Sequence, residues 1–285
     1  HGLNVTVVET PWGQGVPADR YTEILAADTG HQIKAVLATH NETATGVRSD
    51  IGAVRGALGA AGHPAMLFVD GVSSIGSMEF RFDDWGVDVA VTGSQIGFSA
   101  KAMEATKSAR LPRTFFDVHD MAKGYANNAY PYTPAVGLLN GLNTACGMLL
   151  NEGLENVFAR HHRIAEGVRA AVGAWGLELC AASPDLYSDT VSAIRTPQGF
   201  NATDIVTHAA DAYGVAFGVG LGEVAGKVFR IGHLGSLTDV MMLSGIATAE
   251  MCMADLGLDI TLGSGVAAAQ DYYRANRTVR QQDAA

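Results

Sequence analysis

Three runs of apolar residues set the tightest limit on what this chain can fold into. Residues 33–40 (IKAVLATH), 65–70 (AMLFVD) and 87–92 (VDVAVT) are almost unbroken in hydrophobicity. A strand with one face in water alternates apolar and polar residues, whereas a strand covered on both faces does not. Between them lie residues 18–30 and 49–61, which carry helical spacing. The first is ended by Gly30 and the second opens with Ser49 or Asp50 as N-cap. This βαβ rhythm predicts an α/β fold with a mostly parallel sheet covered by helices. Residues 3–8 (LNVTVV) predict one more strand at the start.

Further on the pattern changes. Residues 101–113 are basic and helical, and residues 117–133 are polar, aromatic and loop-rich. A long helical stretch over 134–175, broken near 151–153, follows. Short strands at 190–195, 214–217 and 227–232 then alternate with helices at 202–213 and 237–255, an α+β layout. We therefore expect a large domain over 1–150 and a smaller C-terminal domain over 151–285, with a frayed polar tail at the end. The chain enters GLNVTVVET directly from His1 rather than Met, so an N-terminal part is expected to be missing.

A net charge of −10 argues against nucleic acid and anionic membrane as partners, and no apolar run reaches membrane-spanning length. Cys146, Cys180 and Cys252 sit far apart in apolar contexts, with no metal spacing such as C-x-x-C. Reduced, buried thiols in a cytoplasmic protein are the expectation. Charged residues are 17% of the chain, a low density that fits some surface being hidden in an oligomer.

Polar residues gather where the three apolar runs end. The first run leads into Thr39-His40-Asn41-Glu42-Thr43, the second into Asp70-Gly71-Val72-Ser73, and the third into Thr92-Gly93-Ser94-Gln95. In an open parallel sheet ligands bind outside the carboxyl ends of the strands. A carboxylate directly after AMLFV is costly unless a cation or donor meets it. Asp70 either caps its own turn or pairs with a cationic ligand, and its two polar neighbours favour the ligand. His40 reads as a packing residue at its strand end. The glycines of residues 218–226 precede a strand rather than a helix, so they mark a loop and not a dinucleotide fingerprint. His161 and His162, between Arg160 and Arg163, read as a solvated helix face. Met241, Met242, Met251 and Met253 read as core.

THNETATGV, LFVDGVSSIG and VTGSQ, in that order, resemble the class V aminotransferases of pyridoxal-phosphate fold type I, in particular their serine–glyoxylate and alanine–glyoxylate branch. YPYTP at 130–134, residues 152–172 and GKVFRIGHLG at 226–235 extend the resemblance through most of the chain. NETATG, LPRTFFD and LYSDTVSAIR bring it nearest to the serine–glyoxylate type. The resemblance implies pyridoxal 5'-phosphate as cofactor and amino transfer from serine or alanine to glyoxylate. It implies that Asp70 pairs with the pyridine nitrogen, Val72 packs on the ring face, and Thr43 and Gln95 bond near the ring hydroxyl. Tyr130 and Thr133 would reach the cofactor phosphate of a neighbouring subunit, which requires a homodimer. Arg230 would clamp the substrate carboxylate, for which a guanidinium fork is suited.

One departure is large. The family reads Gly-Ser-Gln-Lys, and that lysine holds the cofactor covalently and carries the proton. Here Gln95 is followed by Ile96. Lys101 is too far along, and the phosphate loop and ring-stacking aromatic residue belong to the expected missing part. Two other readings stand beside amino transfer: a shortened, non-catalytic chain of the same fold, or another class V enzyme such as a cysteine desulfurase. The latter needs a reactive cysteine on a mobile loop, and Cys180 and Cys252 lie in apolar segments.

Overall fold

The computed structural model describes residues 2–93, 95–113 and 116–277. The expected βαβ unit is present. Helix α1 (Ala18–Ala27) precedes β1 (Ala35–Thr39). A small hairpin follows, formed by β2 (Asn41–Glu42) and β3 (Val47–Arg48), then α2 (Ile51–Ala60), β4 (Met66–Asp70) and β5 (Val89–Val91). Asp50 is the N-cap of α2, its carboxylate accepting from Ala53 N–H. Helix α1 stops short of Gly30 because Asp28 turns its carboxylate onto the N–H groups of Gln32 and Ile33.

β1, β4 and β5 are parallel, in the order β1-β4-β5. A fourth strand, β6 (Ile96–Phe98), pairs antiparallel with β5. It was not legible as a strand, because IGF is three residues long and follows a turn. One face of this sheet is sealed: Val36, Ala38, Leu67, Val69 and Ala90 pack on Ile51, Val54 and Leu58 of α2. The other face exposes Leu37, Val91 and Ile96.

Helices α3 (Ala100–Thr106) and α4 (Val118–Ala126) come next. The expected helix over 101–113 is thus shorter, and α4 occupies a stretch that its polar, aromatic composition marks as loop. Asp117 caps α4 through His119 N–H, a start signal outweighed by the surrounding asparagines and tyrosines. The long helical stretch is two helices, α5 (Val136–Glu152) and α6 (Leu154–Ala174), divided at Gly153 with φ +83°.

A second sheet contains β7 (Glu178–Leu179), β8 (Val191–Arg195), β9 (Gly218–Val219) and β10 (Val228–Gly232) in the order β7-β8-β10-β9, all antiparallel. Helices α7 (Ala202–Tyr213), α8 (Asp239–Asp255) and α9 (Ser264–Ala275) close its core around Phe229, Ile194, Ile205 and Ile246.

Several expectations are corrected. Residues 3–8 form no strand: Leu3, Val5 and Val7 are exposed, and none of these residues pairs with a described strand. Residues 214–217 form none either. After Gly214 turns the chain at φ +65°, pairing with β10 begins only at Gly218. His161 is buried, not solvated, with Nδ1 facing Val157 O and Nε2 accepting from Gly235 N–H. Arg160 and Arg163 pair with Glu152 and Asp239, so only His162 keeps an open face. Met242 and Met253 are core, whereas Met241 and Met251 are exposed. Most of the expected polar tail lies outside the described residues.

Candidate functional site

Register builds the site. Thr39 pairs with Asp70, Asp70 with Val91, and Val91 with Ile96. Residues directly opposite one another point to the same face. Asp70, Val91 and Ile96 therefore share the open face, at the carboxyl edge of the parallel strands. Asp70 Oδ1 accepts Val72 N–H at 3.0 Å, and Gly71 N–H bonds Val91 O at 2.8 Å. The turn-capping and ligand readings of Asp70 are thus compatible. One carboxylate oxygen serves the turn, and no cation among the described residues meets the other. The side chains of Asp70 and Val72 are exposed.

His40 lies at the same edge but is shut off from it. Its ring is buried between Phe80 and Trp85, at 5.5 and 5.6 Å between centroids, and its Nδ1 is 2.8 Å from Ser74 Oγ. Burial, with Arg48 nearby, pushes its pKa down to about 4. It is a neutral packing group, as its strand-end position suggested.

Beyond β1 the chain folds into the β2–β3 hairpin, which carries Thr43 between its strands and meets the second sheet. Arg230 of β10 donates from Nη1 to Thr43 O and from Nε to Val219 O, both at 2.8 Å. These bonds fix the guanidinium while leaving its other N–H groups available. Arg230 makes no ion pair among the described residues. Gly218 forms the floor under it: a Cβ there would stand 3.1 Å from Arg230 Nε and 3.3 Å from Cζ. The glycine loop at 218–226 is therefore part of this site.

Gln95 sits in the tight turn between β5 and β6, where Thr92 N–H bonds Gln95 O at 2.9 Å. The sheet edge thus brings Asp70, Val72 and Gln95 together, and the hairpin after β1 brings Thr43 to Arg230. Tyr130 and Thr133 lie elsewhere, exposed on the segment between α4 and α5, with the Tyr125 ring set edge-on to that of Tyr130.

Two features escaped the sequence reading. Asn41, buried at the start of β2, donates from Nδ2 to Ser73 Oγ and to Thr190 Oγ1, tying the first sheet's edge to the segment that leads into the second sheet. The only sequence signal was an amide in a polar run. Trp12 lies against Gly222 of the glycine loop and lines a shallow cavity of about 180 Å³ with Gln14, Glu42 and Thr45. Its partner is some two hundred residues away in sequence, beyond the reach of any local pattern.

No lysine stands at this edge. The five lysines are Lys34, Lys101, Lys107, Lys123 and Lys227. Lys101 Nζ bonds Ala65 O at 3.1 Å and lies 3.7 Å from Asp88. Both partners precede their strands, so Lys101 sits at the opposite edge, roughly 16 Å away along the strand. Lys34 is at that far edge too, bonding His31 O. Lys107 pairs with Glu104 beyond α3, Lys123 is in α4, and Lys227 leads into β10. Cys180 and Cys252 are buried, whereas Cys146 in α5 is half-exposed, against the expectation that all three thiols are buried. Burial pushes Cys180 up and Cys252 up to about 11, which disfavours both as the nucleophile that a desulfurase needs.

Residues 1–100 match the family model described as aminotransferase class-V. The chain is 72% identical to the L-aspartate–glyoxylate aminotransferase of Paracoccus denitrificans, over all of this chain and 75% of that protein. It is 53% identical to the serine–glyoxylate aminotransferase of Hyphomicrobium methylovorum, over 97% of this chain and 72% of that one. Among solved structures, it resembles a pyridoxamine–pyruvate aminotransferase from Mesorhizobium loti with a TM-score of 0.87 at 31% identity, covering 94% of this chain and 71% of that one. The Paracoccus match runs over 296 positions against 285 residues here, so at least 11 positions of that relative have no counterpart in this chain.

Proposed function

Since the chain belongs to the class V aminotransferases, we propose that its site serves the transfer of an amino group from a small L-amino acid to glyoxylate, giving glycine and the corresponding 2-oxo acid. The cofactor of the family is pyridoxal 5'-phosphate, which when bound supplies an electron sink for the substrate α-carbon. The single observation that carries the reading is Arg230. It is a guanidinium held rigidly by two backbone carbonyls, without an acidic partner, over a glycine floor. Such a fork suits the one group that glyoxylate, serine, alanine and aspartate share, a carboxylate.

Asp70 fits the pyridine nitrogen, because one of its oxygens remains open at the strand edge. Val72 presents an exposed side chain beside it for the ring face, Gln95 stands at the same sheet edge, and Thr43 meets Arg230 through its carbonyl. The residues of this chain do not fit a covalent attachment, since none of the five lysines lies at this edge. Serine and alanine are the donors implied by the sequence resemblance, and L-aspartate joins them because the 72% identical relative is named for it.

The active form in this reading is a homodimer. Helix α5 buries none of its residues, and Val136, Leu138, Leu139, Met148 and Leu150 are exposed along it. An apolar helix of that length left open calls for a cover. A second copy of the chain is the cover that would also bring Tyr130 and Thr133, exposed just before α5, to a neighbouring cofactor phosphate. Leu138→Asp together with Leu139→Asp is expected to shift the protein from dimer to monomer in light scattering. A dimer that survives both changes excludes α5 as the interface. The large and small domains divide at about residue 150. The cytoplasm is the compartment proposed, in keeping with three free cysteines; no helix among the described residues is long and apolar enough to cross a membrane.

The function is tested by offering L-serine, L-alanine and L-aspartate with glyoxylate to the full chain and measuring glycine, alongside calorimetric binding of glyoxylate. The reading expects glyoxylate to bind, glycine formation by this chain to stay near the free-cofactor rate for want of the proton-carrying lysine, and an Ile96→Lys variant to exceed that rate. Failure of glyoxylate to bind, together with failure of the variant to form glycine, withdraws it.

A further inference from the structure

We infer that this chain holds its pyridoxal-type cofactor by non-covalent contacts alone, because the position of the covalent anchor is filled by Ile96 and closed by the β5–β6 hairpin. The inference rests on the reading of the Asp70 edge as the cofactor site. Three independent observations carry it.

First, the described residues on either side of the β5–β6 turn are paired close to it. Val91 pairs with Ile96, and Thr92 N–H closes the turn onto Gln95 O, so the chain returns into the sheet without a loop reaching over the edge. Second, all five lysines are committed to other places in the fold: two at the far edge of the same sheet, one at the end of α3, one in α4 and one at the second sheet. Third, at least 11 positions of the 72% identical relative have no counterpart in this chain, which is room for the anchor segment to be among them.

Part of the non-covalent site stands in this chain, without the phosphate loop and the stacking aromatic residue. Asp70 keeps an open carboxylate oxygen, Val72 is exposed beside it, and Arg230 is oriented and unpaired. Affinity at such a site comes only from contacts that the pyridoxal and pyridoxamine forms share. In a site with a lysine, the aldehyde form gains a bond that the amine form cannot make. Here the two forms differ by one polar substituent, so their affinities should fall within about tenfold of one another.

The test titrates the full chain with pyridoxal 5'-phosphate and with pyridoxamine 5'-phosphate, following ligand fluorescence. The pyridoxal-loaded protein is then reduced with borohydride, denatured and weighed by mass spectrometry. Both forms are expected to bind with dissociation constants within about tenfold, Asp70→Ala to weaken both by roughly tenfold or more, and reduction to leave no stoichiometric adduct. One phosphopyridoxyl group per chain, mapped to a single lysine, overturns the inference and leaves the proposed function standing. Binding of neither form overturns the inference together with the assignment of the cofactor site.

Discussion

Replacing Arg230 with alanine is expected to weaken glyoxylate binding by about 30-fold or more while leaving the fold in place. The magnitude follows from removing one partner of a charge-assisted pair in a half-buried setting, about 2 kcal/mol or more. Two carbonyls hold the guanidinium now, Thr43 O and Val219 O. In the alanine variant both carbonyls border solvent and can turn to water, so the cost to stability should be small beside the cost to binding. Arg230→Lys is expected to recover little, because an ammonium cannot satisfy both carbonyls and still present two parallel donors to a carboxylate. Calorimetry with glyoxylate and with acetate separates the outcomes. Loss of both ligands without a fall in melting temperature identifies Arg230 as the carboxylate clamp. Unchanged affinity for both would move the substrate elsewhere. Gly218→Ala supplies a milder version of the same test, since its new Cβ would press on the guanidinium rather than remove it.

How much of this site could be read in the sequence depends on how local its causes are. The strands were legible from their near-unbroken apolar runs, although only one face is buried and the other leaves Leu37, Val91 and Ile96 exposed; Asp70 stood out because a charge at the end of such a run needs a reason. The N-cap of α2 was legible to within one residue for the same kind of reason. Helix α4 was missed because one capping aspartate is a weak signal among turn-forming neighbours. The supposed strand at 3–8 has strand composition yet pairs with no described strand, and a strand without a partner is only an extended chain. The second-sheet strand expected at 214–217 shows the same limit, since pairing, not propensity, placed it at Gly218. The deeper misses are contacts between distant segments. Gly218 under Arg230, Trp12 on Gly222 and Asn41 on Thr190 each join parts of the chain through the meeting of the two sheets. No periodicity encodes them. The missing lysine, by contrast, was a purely local reading, and the fold gives it a physical form: a closed hairpin in place of a loop.

That hairpin makes the largest gain testable with one substitution. Ile96→Lys is expected to turn a site without a covalent adduct into one that carries a stoichiometric, borohydride-stable adduct with pyridoxal 5'-phosphate and gains visible absorbance. The register argues for this position over any other. Ile96 lies opposite Val91 and Val91 opposite Asp70, so residue 96 shares the face of Asp70 two strands away, about 10 Å between backbones. A lysine side chain and a pyridine ring together bridge that span, with the ring nitrogen directed at the carboxylate. Ile96 is 54% exposed, so the ammonium needs no burial, and the cost is limited to the β-propensity of one surface position, at most about 1 kcal/mol. Lys101 is the internal control, because it lies beside Ala65 and Asp88 at the opposite edge and should stay unmodified in both proteins. If the folded Ile96→Lys variant binds pyridoxamine 5'-phosphate yet forms no adduct with the aldehyde, the ring lies in another orientation and Asp70 is not its nitrogen partner. If the adduct forms and Asp70→Asn then shifts its absorbance, the carboxylate and the new lysine act on the same ring from its two ends, which is the arrangement that the strand register requires.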